Sequence, residues 1–381
     1  MIVRRVECFV VPPGWIFVRL ETASGLEGWG EAGVQTRAST VRAAVGELGQ
    51  LLIGRDARRI EDNWQLMSRA GFYAMGPLFG AAVAALDIAL WDVVARDLGV
   101  PVHSLLGGAV RDRVPAYCWI GETDDPEPAD LAMHAKQKIG EGFWGVKMTP
   151  APMEPYPTTV AVRRIGDQAR AVRAAIGDTA RFAIDLHGAC SPMSAAMVVD
   201  EVATAAPLFI EEPLRPEHSH QYAAFAARSS VPIACGERAF HRRDFVDIVG
   251  SGVRVAQPDV AIAHGISETR RIASMCDLYG VAMAPHCAVG PIALAATLHL
   301  AASLPNLMVM EQDADCFADR FAEYVDDPSI FAVSDGCIEL PSTVGLGVQP
   351  SEKRIRAADR EGRPHFTPPL LRHPDGSVAD W

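Results

Sequence analysis

The 381-residue chain has no C-x-x-C pair and no P-loop. Without that glycine-rich loop, a nucleotide cradled by backbone N–H groups is not expected. The eight cysteines, Cys8, Cys118, Cys190, Cys235, Cys276, Cys287, Cys316 and Cys337, are scattered rather than spaced as pairs. In a chain of this size they read as reduced, mostly buried thiols, which predicts a cytoplasmic location. Positive charge is also short: 35 Lys and Arg stand against 47 Asp and Glu, for a formal net charge of −12, and no basic stripe offsets it. Nucleic acid and acidic membrane surfaces are repelled by such a balance. The stretch "MIVRRVECFVVPPG" has too short an apolar run for a signal peptide and no small-residue cleavage site. The most apolar helical stretch, "AAVAALDIALWDVVA", is broken by Asp87 and Asp92 and does not read as a membrane span.

What is present is a soluble globular composition, 49% hydrophobic and 22% charged. The length suits one large α/β barrel plus a smaller domain. Residues 1–113 read as an α+β unit: "RRVECFVVPPGWIFVRLETASGLEGWGEAG" gives two or three strands with Gly and Pro turns, followed by helices. From Val114 to about 344, short apolar runs alternate with amphipathic stretches, which predicts parallel strands with helices outside. The expected fold class is α/β, a modified TIM barrel with an N-terminal capping domain. The Pro-rich segment 345–381 is expected to pack back on that cap.

Each apolar run ends in a polar group that is awkward to bury: Lys147, Asp185 with His187, Glu211, Glu237, Asp259, His286 and Glu311. Asp185 to Glu211 and Glu211 to Glu237 are both 26 residues (211 − 185 and 237 − 211), near the roughly 30 that one barrel unit needs. The carboxyl ends of barrel strands open on one face, so these groups converge. Asp185 and His187, two apart on a strand, would point to the same side. Asp185, Glu211 and Glu237 meeting in one mouth would repel unless a cation sat among them. All-oxygen ligation points to Mg²⁺, with Mn²⁺ next and Zn²⁺ disfavoured. Asp259 can orient His286 and raise its basicity, making His286 the expected general base. His187 reads either as a proton donor or as a hydrogen-bond partner of Asp185. Lys147 either binds a substrate carboxylate or pairs with a metal-binding acid, and Glu311 either binds substrate or pairs with Lys147. Cys287 reads as packing and His264 as a loop residue.

With "GLEGWGE", "ALDIALWDVVARDLGVPVHSLLGG", "DLHG", "PLFIEEP", "GERAF", "QPD" and "APHCAVGPIALAATLH" in this order, the chain resembles the enolase superfamily in its mandelate-racemase-like branch, and within it the D-galactonate dehydratases. The resemblance implies a (β/α)₇β barrel under an α+β cap and Mg²⁺ on Asp185, Glu211 and Glu237. It also implies a base dyad of His286 and Asp259, an acid at His187 and the strand-eight glutamate at Glu311. Trp15, beside Gly14 in the cover loop, falls on the substrate side. The implied reaction is loss of water from an aldonic acid to a 2-keto-3-deoxy acid, in a symmetric homo-oligomer, often octameric. A racemase or epimerase of a 2-hydroxy acid on the same scaffold, and a non-catalytic metal-binding barrel, are the alternatives. Gly14, Thr149, Ala189 and Ile262 depart from the galactonate-dehydratase pattern, all near the substrate side.

Overall fold

The computed structural model describes all residues except 70, 74–75, 122–125, 152–155, 313–319, 361–371, 373–375 and 379–381. Cys316, part of the loop at 149–159 and most of the closing "PLLRHPDGSVADW" therefore lie outside the described residues. No disulfide is formed among the seven described cysteines.

The chain begins with an antiparallel sheet of β1 (Val3–Val11), β2 (Trp15–Thr22) and β3 (Glu27–Ala32). Helices α1 (Ala38–Leu52), α2 (Ile60–Arg69) and α3 (Pro77–Leu98) follow. The α3 helix is long and apolar enough to cross a membrane, but here it is a core element, mostly buried in the fold. It lies directly on β3, where Gly28 and Gly30 make the approach feasible. A Cβ at either would collide with the backbone of Ala89 or Ala85.

After the short α4 (Val102–Leu105), eight parallel strands form the barrel: β4 (Arg113–Ile120), β5 (Gly145–Met148), β6 (Arg181–Asp185), β7 (Ile210–Glu211), β8 (Ile233–Cys235), β9 (Val255–Ala256), β10 (Ala282–Met283) and β11 (Met310–Glu311). They hydrogen-bond in chain order from β4 to β10. The Met283–Leu307 bridge and the pairing of β11 with β4 close the ring. Between the strands run α5 (Pro128–Gly140), α6 (Thr159–Ile176), α7 (Pro192–Val202), α8 (Tyr222–Arg228), α9 (Arg242–Gly250), α10 (Gly265–Leu278) and α11 (Pro291–Ser303). The hairpin of β12 (Val333–Ser334) and β13 (Cys337–Glu339) adds antiparallel to β4, and α12 (Glu352–Arg360) follows. This is a (β/α)₇β barrel under an α+β cap. The described part of the final segment lies against the cap, with Asp359 bonded to Arg42 and to the Val10 amide.

Three buried carboxylates of the N-terminal unit bind backbone N–H groups elsewhere. The two acids that interrupt the apolar run of α3 are among them. Asp87 accepts from the Ser267 amide (2.9 Å) and hydroxyl (2.6 Å) at the start of α10. Asp92 accepts from the amides of Trp29 (2.9 Å) and Leu346 (2.8 Å). Glu31, at the end of β3, accepts from the amides of Gly290 (2.6 Å), Ile292 (3.1 Å) and Ala293 (2.9 Å). It thereby satisfies N–H groups that the first turn of α11 leaves without intrahelical partners.

Glu31→Ala leaves three buried donors unpaired and is expected to cost about 3 kcal/mol or more in denaturant unfolding. Burial pushes the Glu31 carboxyl up to about 8 against the pull of its three N–H donors. The unfolded chain therefore releases this proton at lower pH than the folded one, and the folded state loses stability as pH rises through that window. Relative to Glu31→Gln, the wild type should weaken between about pH 5 and pH 8, as unfolding midpoints at the two values would show.

Candidate active site

The barrel places the expected residues around one mouth. Lys147 lies in β5, and Asp185, Glu211 and Glu311 are the last residues of β6, β7 and β11. Glu237, Asp259 and His286 sit in the turns just beyond β8, β9 and β10. Parallel register sets Asp185 directly beside Glu211.

One oxygen each from Asp185, Glu211 and Glu237 lies within 4.8 Å of the others. Lys147 Nζ, itself buried, stands 3.2 Å from Asp185, 2.8 Å from Glu211 and 2.8 Å from Glu311. Burial works against its charge, but the surrounding carboxylates outweigh that and hold it firmly protonated. Of the two readings open for Lys147 and Glu311, the structure shows the ion pair. Glu311 also accepts from the Cys287 amide at 3.1 Å. One ammonium does not balance these acids. Burial first, and then the charge of Asp185, pushes the Glu211 carboxyl well above its ordinary range.

Those residues fit a hard divalent cation. The donor set is three carboxylates, as Mg²⁺ or Mn²⁺ prefers. Asp185 Oδ2 is buried without a well-formed hydrogen bond, facing only the charged neighbours Lys147 and His187.

Two imidazoles flank the acids. His286 Nδ1 lies 2.8 Å from Asp259 Oδ2, which leaves Nε2 facing the mouth, 3.6 Å from Glu237. Burial opposes an imidazolium here, yet the Asp259 hydrogen bond and the charges of Glu311 and Glu237 raise His286 to about 10. A cation neutralising the carboxylates would relieve that upward pull. Asp259 Oδ1 is fixed in turn by the Ala261 amide at 2.7 Å.

His187 corrects the strand argument. β6 stops at Asp185, and His187 is in a turn with φ 47°. It meets Asp185 because the turn folds back: its amide donates to Oδ1 (2.9 Å) and its Nε2 lies 3.0 Å from Oδ2. The ring also borders the open cavity, so both readings of His187 describe its position.

Trp15 is a second correction. It opens β2 and is fully buried, its ring 5.7 Å from Phe321 and 5.6 Å from Tyr324. It does not line the cavity, because aromatics of both the cap and the barrel region, Phe17, Phe321 and Tyr324, enclose it. His264 is also structural, buried ahead of α10 with Nδ1 2.6 Å from the Phe240 carbonyl.

The cavity holds about 800 Å³. Lys147, Glu237, His286 and Glu311 line its chemical end, with His187 beside them. Trp119, Arg215, Glu217, His218 and Arg238 line the rest of its polar wall. Sequence reasoning missed this wall, and also Gln257, whose Nε2 donates to Glu211 at 2.6 Å. It missed Glu212 as well, which takes the Gly236 amide (3.0 Å) and Arg238 (2.7 Å). The motifs "EEP", "GER" and "QPD" contain three of these residues, but only the fold shows what they bind.

Comparison with known proteins gives this arrangement a lineage. Residues 130–354 match the family model "Enolase C-terminal domain-like", and residues 12–107 match "Mandelate racemase / muconate lactonizing enzyme, N-terminal domain". D-galactonate dehydratases from Ralstonia pickettii and Verminephrobacter eiseniae are 42% and 40% identical, with both chains covered in full. The crystal structure of an enolase from Agrobacterium radiobacter, bound to Na and L-malate, superposes with a TM-score of 0.90 at 30% identity, covering 100% of each chain. With both halves matched in sequence and the whole chain matched in fold, the protein belongs to the enolase superfamily, in its mandelate racemase and muconate lactonizing enzyme branch.

Proposed function

We propose that the protein is a Mg²⁺-dependent acid-sugar dehydratase acting on an aldonate of the galactonate type. The observation that carries this reading is the placing of two carboxylate-held imidazoles, His286 and His187, beside one three-carboxylate cluster. Full-length relatives named D-galactonate dehydratase support the same chemistry.

Asp185, Glu211 and Glu237 would hold the cation, which supplies positive charge to a substrate carboxylate as that group becomes more negative. Lys147 adds a fixed positive charge beside it. His286 Nε2 takes the proton from C2 while Asp259 keeps Nδ1 protonated and the ring oriented. The electron pair freed at C2 forms the C2–C3 double bond as the C3–O bond breaks. His187 gives its proton to the departing hydroxyl, which leaves as water. The resulting enol takes a proton at C3 and becomes the 2-keto-3-deoxy acid, so the substrate loses one water and no redox partner is needed.

Racemisation needs a second base on the opposite face of C2. The residue two beyond Lys147 is Thr149, whose hydroxyl is engaged by Trp119 Nε1 at 2.7 Å. The absence of disulfides among the described cysteines fits a reducing cytoplasm. A homo-oligomer belongs to the same reading and accords with the exposed aromatic pair Phe72 and Tyr73 on the cap.

The direct test is Mg²⁺-dependent conversion of D-galactonate, read as a semicarbazone of the 2-keto product. Turnover of galactonate should vanish with EDTA and return with Mg²⁺, and full activity in metal-free protein would refute the reading. His286→Asn is expected to lower kcat by about 10³-fold and to abolish exchange of the C2 hydrogen with solvent deuterium. Retained exchange would reassign the base. Asp185→Asn should weaken Mg²⁺ binding at least about tenfold by calorimetry, independent of any turnover.

A further inference from the structure

Two of the three acids proposed to hold the cation are fixed at both oxygens by groups of this chain. Glu211 Oε1 lies 2.8 Å from Lys147 Nζ, and its Oε2 accepts from Gln257 Nε2 at 2.6 Å. Asp185 Oδ1 accepts from the His187 amide at 2.9 Å, and its Oδ2 faces Lys147 at 3.2 Å and the His187 ring at 3.0 Å. Glu237 is less constrained, with the His286 ring 3.6 Å away.

Gln257 differs from the other donors in this set. Lys147 serves three carboxylates at once, and the His187 amide belongs to the turn that carries the imidazole. Gln257 lies just beyond β9 and reaches past β8 to Glu211 at the end of β7. Its backbone is held on both sides. Its N–H donates to the Cys235 carbonyl at 3.0 Å, and Pro258 after it restricts it to extended conformations. The side chain is fully buried, and its Oε1 has no hydrogen-bond partner among the described residues. A buried acceptor left unmade is unfavourable, so packing alone does not account for an amide here. Its donor, aimed at one oxygen of Glu211, does. Mg²⁺ and Ca²⁺ ask different things of such a carboxylate. Mg²⁺ is small and demands near-ideal octahedral geometry, whereas Ca²⁺ takes more oxygens in more variable arrangements. A carboxylate clamped from two sides loses the freedom to swing that the larger ion exploits.

We propose that Gln257 is a positioning residue that, by clamping Glu211 against Lys147, makes the cation site selective for Mg²⁺ over Ca²⁺. This rests on the cation reading of the dehydratase site. It goes beyond that reading by assigning the choice of ion to a side chain that touches an acid of the set rather than the ion.

The test is calorimetric binding of MgCl₂ and of CaCl₂ to the full chain after EDTA treatment and dialysis, with no substrate and no turnover. The heat lost in Asp185→Asn identifies the site. Gln257→Met keeps the length of the side chain and removes the donor. It is expected to weaken Mg²⁺ binding about 10- to 100-fold and Ca²⁺ binding by no more than about threefold, so that the preference for Mg²⁺ shrinks. A general loosening of the site would weaken both ions alike, and that result overturns the proposal. So does no change for either ion, or a wild type that prefers Ca²⁺. If Gln257→Met fails to fold by circular dichroism, Gln257→Asn carries the same expectation, because its amide is one methylene shorter and falls short of Glu211. Wild-type protein that binds neither ion at the Asp185 site defeats the cation reading and this inference with it. Wild type that binds Mg²⁺, with the ion preference unchanged in the Gln257 variant, defeats the inference alone.

Discussion

A single buried ammonium faces more carboxylate than it can neutralise. Lys147 contacts Asp185, Glu211 and Glu311, and Glu237 completes the acidic mouth nearby. Charges removed from water persist only when matched and hydrogen-bonded. Lys147 matches part of this set, and Gln257 and the Cys287 amide each satisfy one oxygen of Glu211 and Glu311. The remaining imbalance shows in Glu211, whose carboxyl is driven up by burial and by Asp185. A divalent cation is the simplest closure of that balance. The barrel is what makes the imbalance sustainable, since its short parallel strands bring these acids together from segments far apart in sequence.

The two imidazoles depend on this cluster differently. His286 is held by Asp259, an acid outside the proposed metal set, and that acid is itself pinned by the Ala261 amide. Its Nδ1 is thus held from outside the three carboxylates, while its Nε2 faces one of them, Glu237, at 3.6 Å. His187 leans on Asp185, a member of the set. Its ring contacts Asp185 Oδ2 at 3.0 Å, so its position would depend on what that acid holds. In the proposed reaction, that would mean a base fixed before substrate arrives and an acid positioned by the loaded site.

The cap reaches this chemistry through backbone contacts. Gly33, just after β3, donates to the Ala261 carbonyl at 2.9 Å, and the Ala261 amide in turn holds Asp259. Glu31 caps α11, which begins five residues after His286. The closing strand of the cap thus secures both loops that carry Asp259 and His286. Asp87 and Asp92, which looked from the sequence like interruptions of an apolar helix, are anchors of the same kind.

The floor of the site was legible in the sequence because parallel barrel strands are buried on both faces, so they read as uninterrupted apolar runs. A polar residue ending such a run stands out, and regular spacing links one such residue to the next. That logic located Lys147, Asp185, Glu211, Glu237, Asp259, His286 and Glu311. It placed His187 on the right side for the wrong reason, because the strand it was assumed to extend ends two residues earlier. The family resemblance, in turn, misplaced Trp15, which it put on the substrate side beside Gly14. The partners that bury this ring, Phe321 and Tyr324, come from about 300 residues away, and no local pattern announces them. The wall of Arg215, Glu217 and His218 was missed for a related reason: it hangs on a turn after a two-residue strand, where neither helical nor strand periodicity operates. Strand ends are fixed by the barrel, and with them the reaction. The polar residues that line the rest of the cavity wall sit on turns whose direction only the folded chain reveals.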